Sequence, residues 1–273
     1  MREQLGYWRC AVNEGGLDIK SCCASFYQSD WVRLLIGPVF HPGGLSLTHH
    51  LGELLSLSSA DRVLDIACGQ GATAVYLAQT FGCHVTGIDY GAENITQALL
   101  AAKKAGLTVL TEFYQGDAEH ISVRDGSFDV VISECSFCTF PDKVSAAREM
   151  ARLLRPDGRL GLSDIAVNGL LPDDLKTLVA WVACIADAQP VDEYLNIFKG
   201  VGFTDFMAED HAEALQQMVA DIQRKLLTAE LAAKLGKLSL DCLNLEDGKQ
   251  LARRVAEMIN QGRITYMTMI ARG

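Results

Sequence analysis

Between Ala60 and Ala166 the chain alternates short apolar runs with stretches in which apolar residues recur every three or four positions. "RVLDIACG" is apolar and closes on Gly69, "ATAVYLAQTFG" follows at helical spacing and stops at Gly82, and "HVTGIDY" is a second short run. "AENITQALLAAKKAG" returns to the helical period and ends at Gly106, where a residue without Cβ can close a helix in the left-handed region. "LTVLTEFYQGD" and "FDVVISE" then read as strands, "DKVSAAREMARLLRPDG" as a helix and "RLGLSDIA" as a further strand. Strands alternating with helices across short loops predict an α/β fold, a doubly wound and mostly parallel sheet with helices on both faces.

The flanks have a different texture. Residues 1–59 read as helical pieces broken at "GPVFHPGG", and the aromatics ahead of Gly43 and Gly44 suit a hinged lid segment. A core over 60–211 ends with a helix and strand in "EYLNIFKGVGFTDFMAEDH". A helical insert over 212–262 follows, and "RITYMTMIARG" over 263–273 supplies a final strand of the core sheet.

Composition narrows the partners. The net charge of −10 and the lack of a Lys/Arg-rich run exclude a nucleic-acid surface, which needs clustered cations, and point to a small-molecule substrate. With no leader-like N-terminus and no apolar run long enough to span a bilayer, the chain reads as a cytoplasmic protein, a monomer or homodimer without membrane contact. Its nine cysteines are then expected to be reduced thiols, available for burial, reactivity or soft-ion binding.

Gly69 and Gly71 let the backbone turn sharply and approach a ligand. Gly69-x-Gly71-x-x-Ala74 with Asp89 downstream also satisfies a dinucleotide fingerprint, so a nicotinamide enzyme competes. Asp65 lies four residues before the first glycine, and Asp117 closes the third apolar run. Acids at the ends of three successive strands suit a ligand with an ammonium group, a ribose diol and an adenine amine but no pyrophosphate, a description that S-adenosylmethionine meets.

"VLDIACGQGATAVYLA", "VTGIDY", "GDAEHI", "FDVVIS" and "LLRPDGRL" resemble, in order and spacing, the successive motifs of class I S-adenosylmethionine-dependent methyltransferases. The resemblance implies a seven-stranded sheet with an antiparallel last strand. It also implies that Asp65, Gly69 and Gly71 surround the methionine end of the cofactor, Asp89 binds the ribose hydroxyls, and Asp117 with Ala118 holds the adenine.

Cys135 and Cys138 stand three positions apart in "ISECSFCTF", which leaves packing, a metal clip or a substrate-holding site open. One such pair gives two ligands where structural zinc wants four. Adjacent His49 and His50 cannot both face one ion and read as solvated or capping residues, so no structural metal is expected. Cys10, Cys68, Cys83 and Cys242 read as small buried hydrophobes.

"VVISECSFCTFPDK", "LSDI" and "WVACIADA" are most similar to the arsenite methyltransferase family, and that resemblance implies trivalent arsenic bound by Cys135 and Cys184, with Cys22 or Cys23 of "SCCASFY" as a further thiol and a thiol reductant as co-substrate. Thiolates are the natural ligands of a soft centre, and an arsenic lone pair can attack a sulfonium methyl without a general base. The chain departs from the family at Glu134, where an Asn is usual. A carboxylate there opposes thiolate formation. Two other readings compete: a C-, O- or N-methyltransferase of the same fold whose cysteines only line a pocket, with His41, His120 or His211 as base, and a non-catalytic sensor.

Overall fold

In a computed structural model, residues 39–175, 184–234 and 245–273 are described, together with 12, 13, 16, 17, 20, 21, 23 and 37. The sheet has seven strands: β1 Arg62–Ile66, β2 His84–Asp89, β3 Thr111–Gln115, β4 Phe128–Glu134, β5 Leu154–Val167, β6 Thr204–Asp210 and β7 Ile264–Arg272. Their order is β3-β2-β1-β4-β5-β7-β6, and β7 runs antiparallel to both neighbours. The doubly wound sheet and the antiparallel last strand agree with expectation. Helix α1 spans Gly44–Leu54, α2 Ala72–Phe81, α3 Ala92–Ala105, α4 Lys143–Leu153 and α5 Val191–Gly200. Between β6 and β7 lie α6 Ala212–Lys234 and α7 Leu245–Asn260.

The central strands are continuous apolar runs because both faces are covered: four of the five β1 residues are buried, as are five of the seven in β4. Alternate residues serve opposite cores. Val63, Val130 and Ile132 pack with Leu51, Leu77, Ala98 and Phe113 beneath α1, α2 and α3. Leu64, Ile66 and Val131 pack with Met150, Tyr194 and Phe198 under α4 and α5. Each such side chain, fully buried, contributes roughly 1.5–3 kcal/mol.

Three local features differ from the sequence pattern. A two-residue antiparallel ladder joins Val12–Asn13 to Gly16–Leu17 in the stretch expected to be helical. Strand β3 begins only at Thr111, because Leu107 and Leu110 close a turn on the end of α3 instead of extending the strand. Helix α4 stops at Leu153, and Leu154 already pairs with Phe128 before a register shift that resumes at Arg159. Most of the expected N-terminal lid, including the aromatic run ahead of Gly37, lies outside the described residues, as do Cys10, Cys22 and Cys242. Among the described residues no helix is long and apolar enough to cross a membrane.

The strand order reverses between β1 and β4, and the crevice at such a switch point is where ligands enter doubly wound sheets. The chain leaves β1 through Gly69 and Gly71, both with positive φ, and Gly71 starts α2 at φ 80. A Cβ on Gly71 would stand 2.9 Å from the Ala98 Cβ and 3.1 Å from the Phe113 ring. Gly71→Ala is therefore expected to lower the free energy of unfolding by about 2–4 kcal/mol, combining left-handed strain with overpacking. Urea denaturation measures it, and an unchanged midpoint would mean that the turn relaxes at no cost.

Candidate active site

A cavity of about 150 Å³ opens at the carboxyl ends of β1, β2 and β4. Asp65, Asp89, Asp117 and Ala118 line it with Gly69, while Gly71 closes the turn beneath. Asp89 is held from three sides: the Gly69 N–H donates to Oδ2 at 2.9 Å, and the Gly91 N–H and Asn94 amide donate to Oδ1 at 2.8 and 3.0 Å. Burial raises its pKa and those hydrogen bonds oppose the rise. Asp117 lies two residues beyond β3 and is engaged by Lys20, whose ammonium donates to both carboxylate oxygens at 2.9 and 2.8 Å and also reaches Glu119. The Lys20 pair could not be read from sequence, because its partners are 97 and 99 residues away.

Asp65 is 2 % exposed and its Oδ2 has no hydrogen-bond partner. Desolvation, with the charges of Glu134 and Asp89 adding to it, holds its carboxyl well above the usual carboxylate range. Glu134 also lines the cavity. Its Oε2 accepts from the Thr48 hydroxyl at 2.9 Å and the Thr73 hydroxyl at 2.7 Å, with His41 Nε2 at 3.5 Å, while its Oε1 is buried without a partner. Two neighbouring carboxylates, each with an orphaned oxygen, form an arrangement that a cationic donor in the cavity would satisfy. S-adenosylmethionine carries an ammonium that can donate and a sulfonium that adds positive charge, so this pair of acceptors fits that cofactor. A pyrophosphate would meet repulsion at the same place, which disfavours the nicotinamide reading.

The thiols gather on the other side of the β4 end. Cys135 follows Glu134 at φ 52, and its N–H donates to the Ser163 carbonyl at 2.6 Å. Cys184, at φ 63, donates to the Cys135 carbonyl at 3.2 Å, and its thiol hydrogen-bonds with those of both Cys135 and Cys138. Cys138, which sequence reasoning left outside the thiol set, thus joins it because a 3-10 turn over Phe137–Thr139 folds it back. Cys135 lines the cavity, whereas Cys138 and Cys184 lie behind it, 1 % and 2 % exposed. Cys23 is half-buried on the cavity wall. Cys68 packs under the glycine loop against Gly87, as a small hydrophobe would.

Asp164 forms the floor beneath the thiols. It is fully buried, accepting from the Cys138 N–H at 2.9 Å and the Ile165 N–H at 2.7 Å, and burial followed by the Cys184 charge pushes its pKa up to about 7. The Cys135 thiol is pushed up by its hydrogen bond to Cys184 and by burial, the Cys138 thiol by burial first. Tyr266 Oη, also buried and without a hydrogen-bond partner, is close enough to Cys135 and Glu134 to feel their charges.

The methyltransferase domain family model matches residues 57–226, and the chain belongs to that family. More particularly, it is 34% identical over 153 residues to methyltransferase GfsG of Streptomyces halstedii, covering 56% of this chain and 55% of that protein. It is 29% identical over 240 residues to an arsenite methyltransferase of Aquipseudomonas alcaligenes, covering 84% of this chain and 66% of that one. The chain thus spans between about half and two thirds of the length of these relatives. Among solved structures, the phosphoethanolamine N-methyltransferase 2 of Haemonchus contortus in complex with S-adenosylmethionine superimposes with a TM-score of 0.79 at 20% identity, covering 95% of this chain and 60% of that one.

Asp164 provides a test of the thiol floor. Its folded-state pKa lies above the unfolded value, so the folded chain binds the proton more tightly and stability falls as pH rises from about 3.8 towards about 7. The loss attributable to this carboxyl is about 4 kcal/mol across that window. Asp164→Asn is expected to flatten the decline, read as the slope of unfolding free energy against pH. Replacing one acceptor oxygen by an amide shifts the whole curve, so the slope is the diagnostic; parallel curves would show that Asp164 titrates normally.

Proposed function

We propose that the protein is an S-adenosylmethionine-dependent methyltransferase whose acceptor is trivalent arsenic, as arsenite or a methylarsenical, held by Cys135 and Cys184. The observation that carries this reading is the hydrogen-bonded contact of those two thiols, 49 residues apart in sequence, beside a cavity with unpartnered carboxylate oxygens. The match to an arsenite methyltransferase over most of the chain supports it.

In this reading Asp65 and Glu134 receive the ammonium of the cofactor, the Gly69–Gly71 turn lets the methionine end approach, and Asp89 takes the ribose hydroxyls. Ala118 meets the adenine, with Asp117 kept in place by Lys20. When bound, S-adenosylmethionine supplies a methyl carbon activated by a positively charged sulfur. Raised thiol pKa values do not obstruct arsenic capture, because each As–S bond that replaces an As–OH bond releases water carrying the thiol proton. Asp164, poised near neutrality beside Cys184, can hold that proton in transit. Thiolate ligation by Cys135 and Cys184 would leave the arsenic lone pair free for the activated methyl, and the chain would contribute proximity, orientation and exclusion of water. Donating the pair takes arsenic formally from three to five, and two electrons from a thiol reductant, oxidised to its disulfide, return it to three. In this reading Cys23, on the cavity wall, would receive arsenic from solution; Cys22 lies outside the described residues.

A second reading rests on Tyr266 and His41: a buried unpartnered hydroxyl and an imidazole beside Glu134 are groups an O-, N- or C-methyltransferase would use as a base. The phosphoethanolamine N-methyltransferase fold neighbour is in keeping with it. Incubation with S-adenosylmethionine, glutathione and arsenite separates the two. Methylated arsenicals are expected, with Cys135→Ser and Cys184→Ser each abolishing them while leaving S-adenosylhomocysteine affinity unchanged. Full turnover in both variants would remove the thiols from the mechanism, and absence of methylarsenicals from the wild type would favour the second reading.

Glu134→Gln tests the cofactor cradle independently of the acceptor. It keeps an oxygen for Thr48 and Thr73 but loses the charge, so S-adenosylhomocysteine binding, measured by calorimetry, is expected to weaken by about 10- to 100-fold, the worth of one charge-assisted hydrogen bond. Unaltered affinity would assign the ammonium elsewhere.

A further inference from the structure

At the far edge of the sheet, some distance from the cavity, three metal-binding side chains converge from separate elements. His50 lies on α1, Glu209 near the end of β6, and His211 in the turn into α6. His50 Nε2 is 2.6 Å from Glu209 Oε2, His211 Nε2 is 3.6 Å from the same oxygen, and one donor atom from each residue lies within 4.8 Å of the others. The ligands of a tetrahedral zinc ion stand about 3.3 Å apart, in the middle of that spread. His50, expected to be solvated or capping, instead meets a carboxylate 159 residues away, whereas its neighbour His49 turns aside to stack on Phe81 at 5.5 Å.

Two features make this more than a surface ion pair. Glu209 and His211 are fixed by the backbone, Glu209 in register with Thr268 of β7 and His211 through its N–H to the Tyr266 carbonyl at 2.7 Å. In addition, His211 Nε2 is buried from solvent and has no hydrogen-bond partner, so the ring offers a lone pair or a proton that the protein does not use. A carboxylate between two imidazoles satisfies one ring fully and the other poorly, while a divalent ion among all three satisfies each of them.

The geometry points to a divalent transition-metal site, of the zinc class, formed by His50, Glu209 and His211. Two imidazoles and one carboxylate suit zinc and its neighbours better than magnesium or calcium, which want all-oxygen shells. His50 is 39 % and Glu209 34 % exposed, so the fourth position faces water. Bound metal would tie α1 to β6.

Cobalt(II) is the probe, since it adopts the same tetrahedral geometry and its absorption separates imidazole–carboxylate from thiolate ligation. Titrating the full chain, first stripped with a chelator, is expected to give visible d–d bands at one equivalent without a thiolate charge-transfer band, and zinc should displace the cobalt. His50→Ala and His211→Ala should each weaken binding by more than about 10-fold, while Cys135→Ser and Cys184→Ser leave it unchanged. Since all three side chains are partly exposed, their variants should fold, and thermal melting of apo protein checks this. Absence of binding, binding unaltered in both histidine variants, or bands of thiolate character lost in the cysteine variants would each overturn the assignment.

Discussion

Glu134 sits where three elements must meet, and it does so as a buried carboxylate. Thr48 of α1 and Thr73 of α2 both donate to one of its oxygens, and His41 stands beside the same atom, so the end of β4 is tied to two helices through a single charged group. A buried carboxylate is expensive unless every lone pair is used. The second oxygen is left open on a cavity wall with that of Asp65 nearby, so the folded protein keeps an electrostatic debt that a cationic ligand can discharge. The anchoring of two helices and an unused acceptor on the cavity wall therefore belong to the same side chain: the hydroxyls that orient Glu134 fix the direction in which its unused oxygen can accept.

Strand alternation then separates the carboxylate side of the cavity from the thiol side. Glu134 follows Val130 and Ile132 onto the face covered by α1 and α2. One residue later the left-handed backbone at Cys135 departs from the strand, anchored by its N–H to Ser163, and brings the thiol towards Cys184. Asp164 points to the opposite face from Ser163 and receives the Cys138 N–H, so a buried carboxylate stands under the thiols as another stands on the cavity wall. Both carboxylates oppose thiolate formation, Asp164 more than Glu134. The thiols are consequently held neutral, a condition that protects them from adventitious oxidation.

Features encoded locally were legible in the sequence. The Gly69–Gly71 turn, the acids at strand ends and the β–α alternation each depend on a few consecutive residues, and the cavity is lined by the acids so identified. Features that depend on which remote segments fold together were not. Lys20 reaching Asp117, Cys184 touching Cys138, and His50 meeting Glu209 have no periodic signal, since each pair is joined only through the sheet topology. Glu134 is a different case: it was visible, but beside a cysteine its charge reads as a handicap, and only the hydroxyls of Thr48 and Thr73 reveal what it is arranged to do.

The same topology ties two carboxylates to the middle of α1. Glu134 is in register with Ser163, Ser163 with Thr268, and Thr268 with Glu209, so the two carboxylates lie on one face of the sheet three strand spacings apart, about 14 Å. Helix α1 spans that interval, with Thr48 on the first carboxylate and His50 on the second. Sliding α1 along the sheet would break both contacts together. Thr48 shares its acceptor oxygen with Thr73, so the contact that holds α1 to β4 is made at a group on the cavity wall. The edge strand contributes nothing to the cavity wall, yet one short helix joins it to a carboxylate that does.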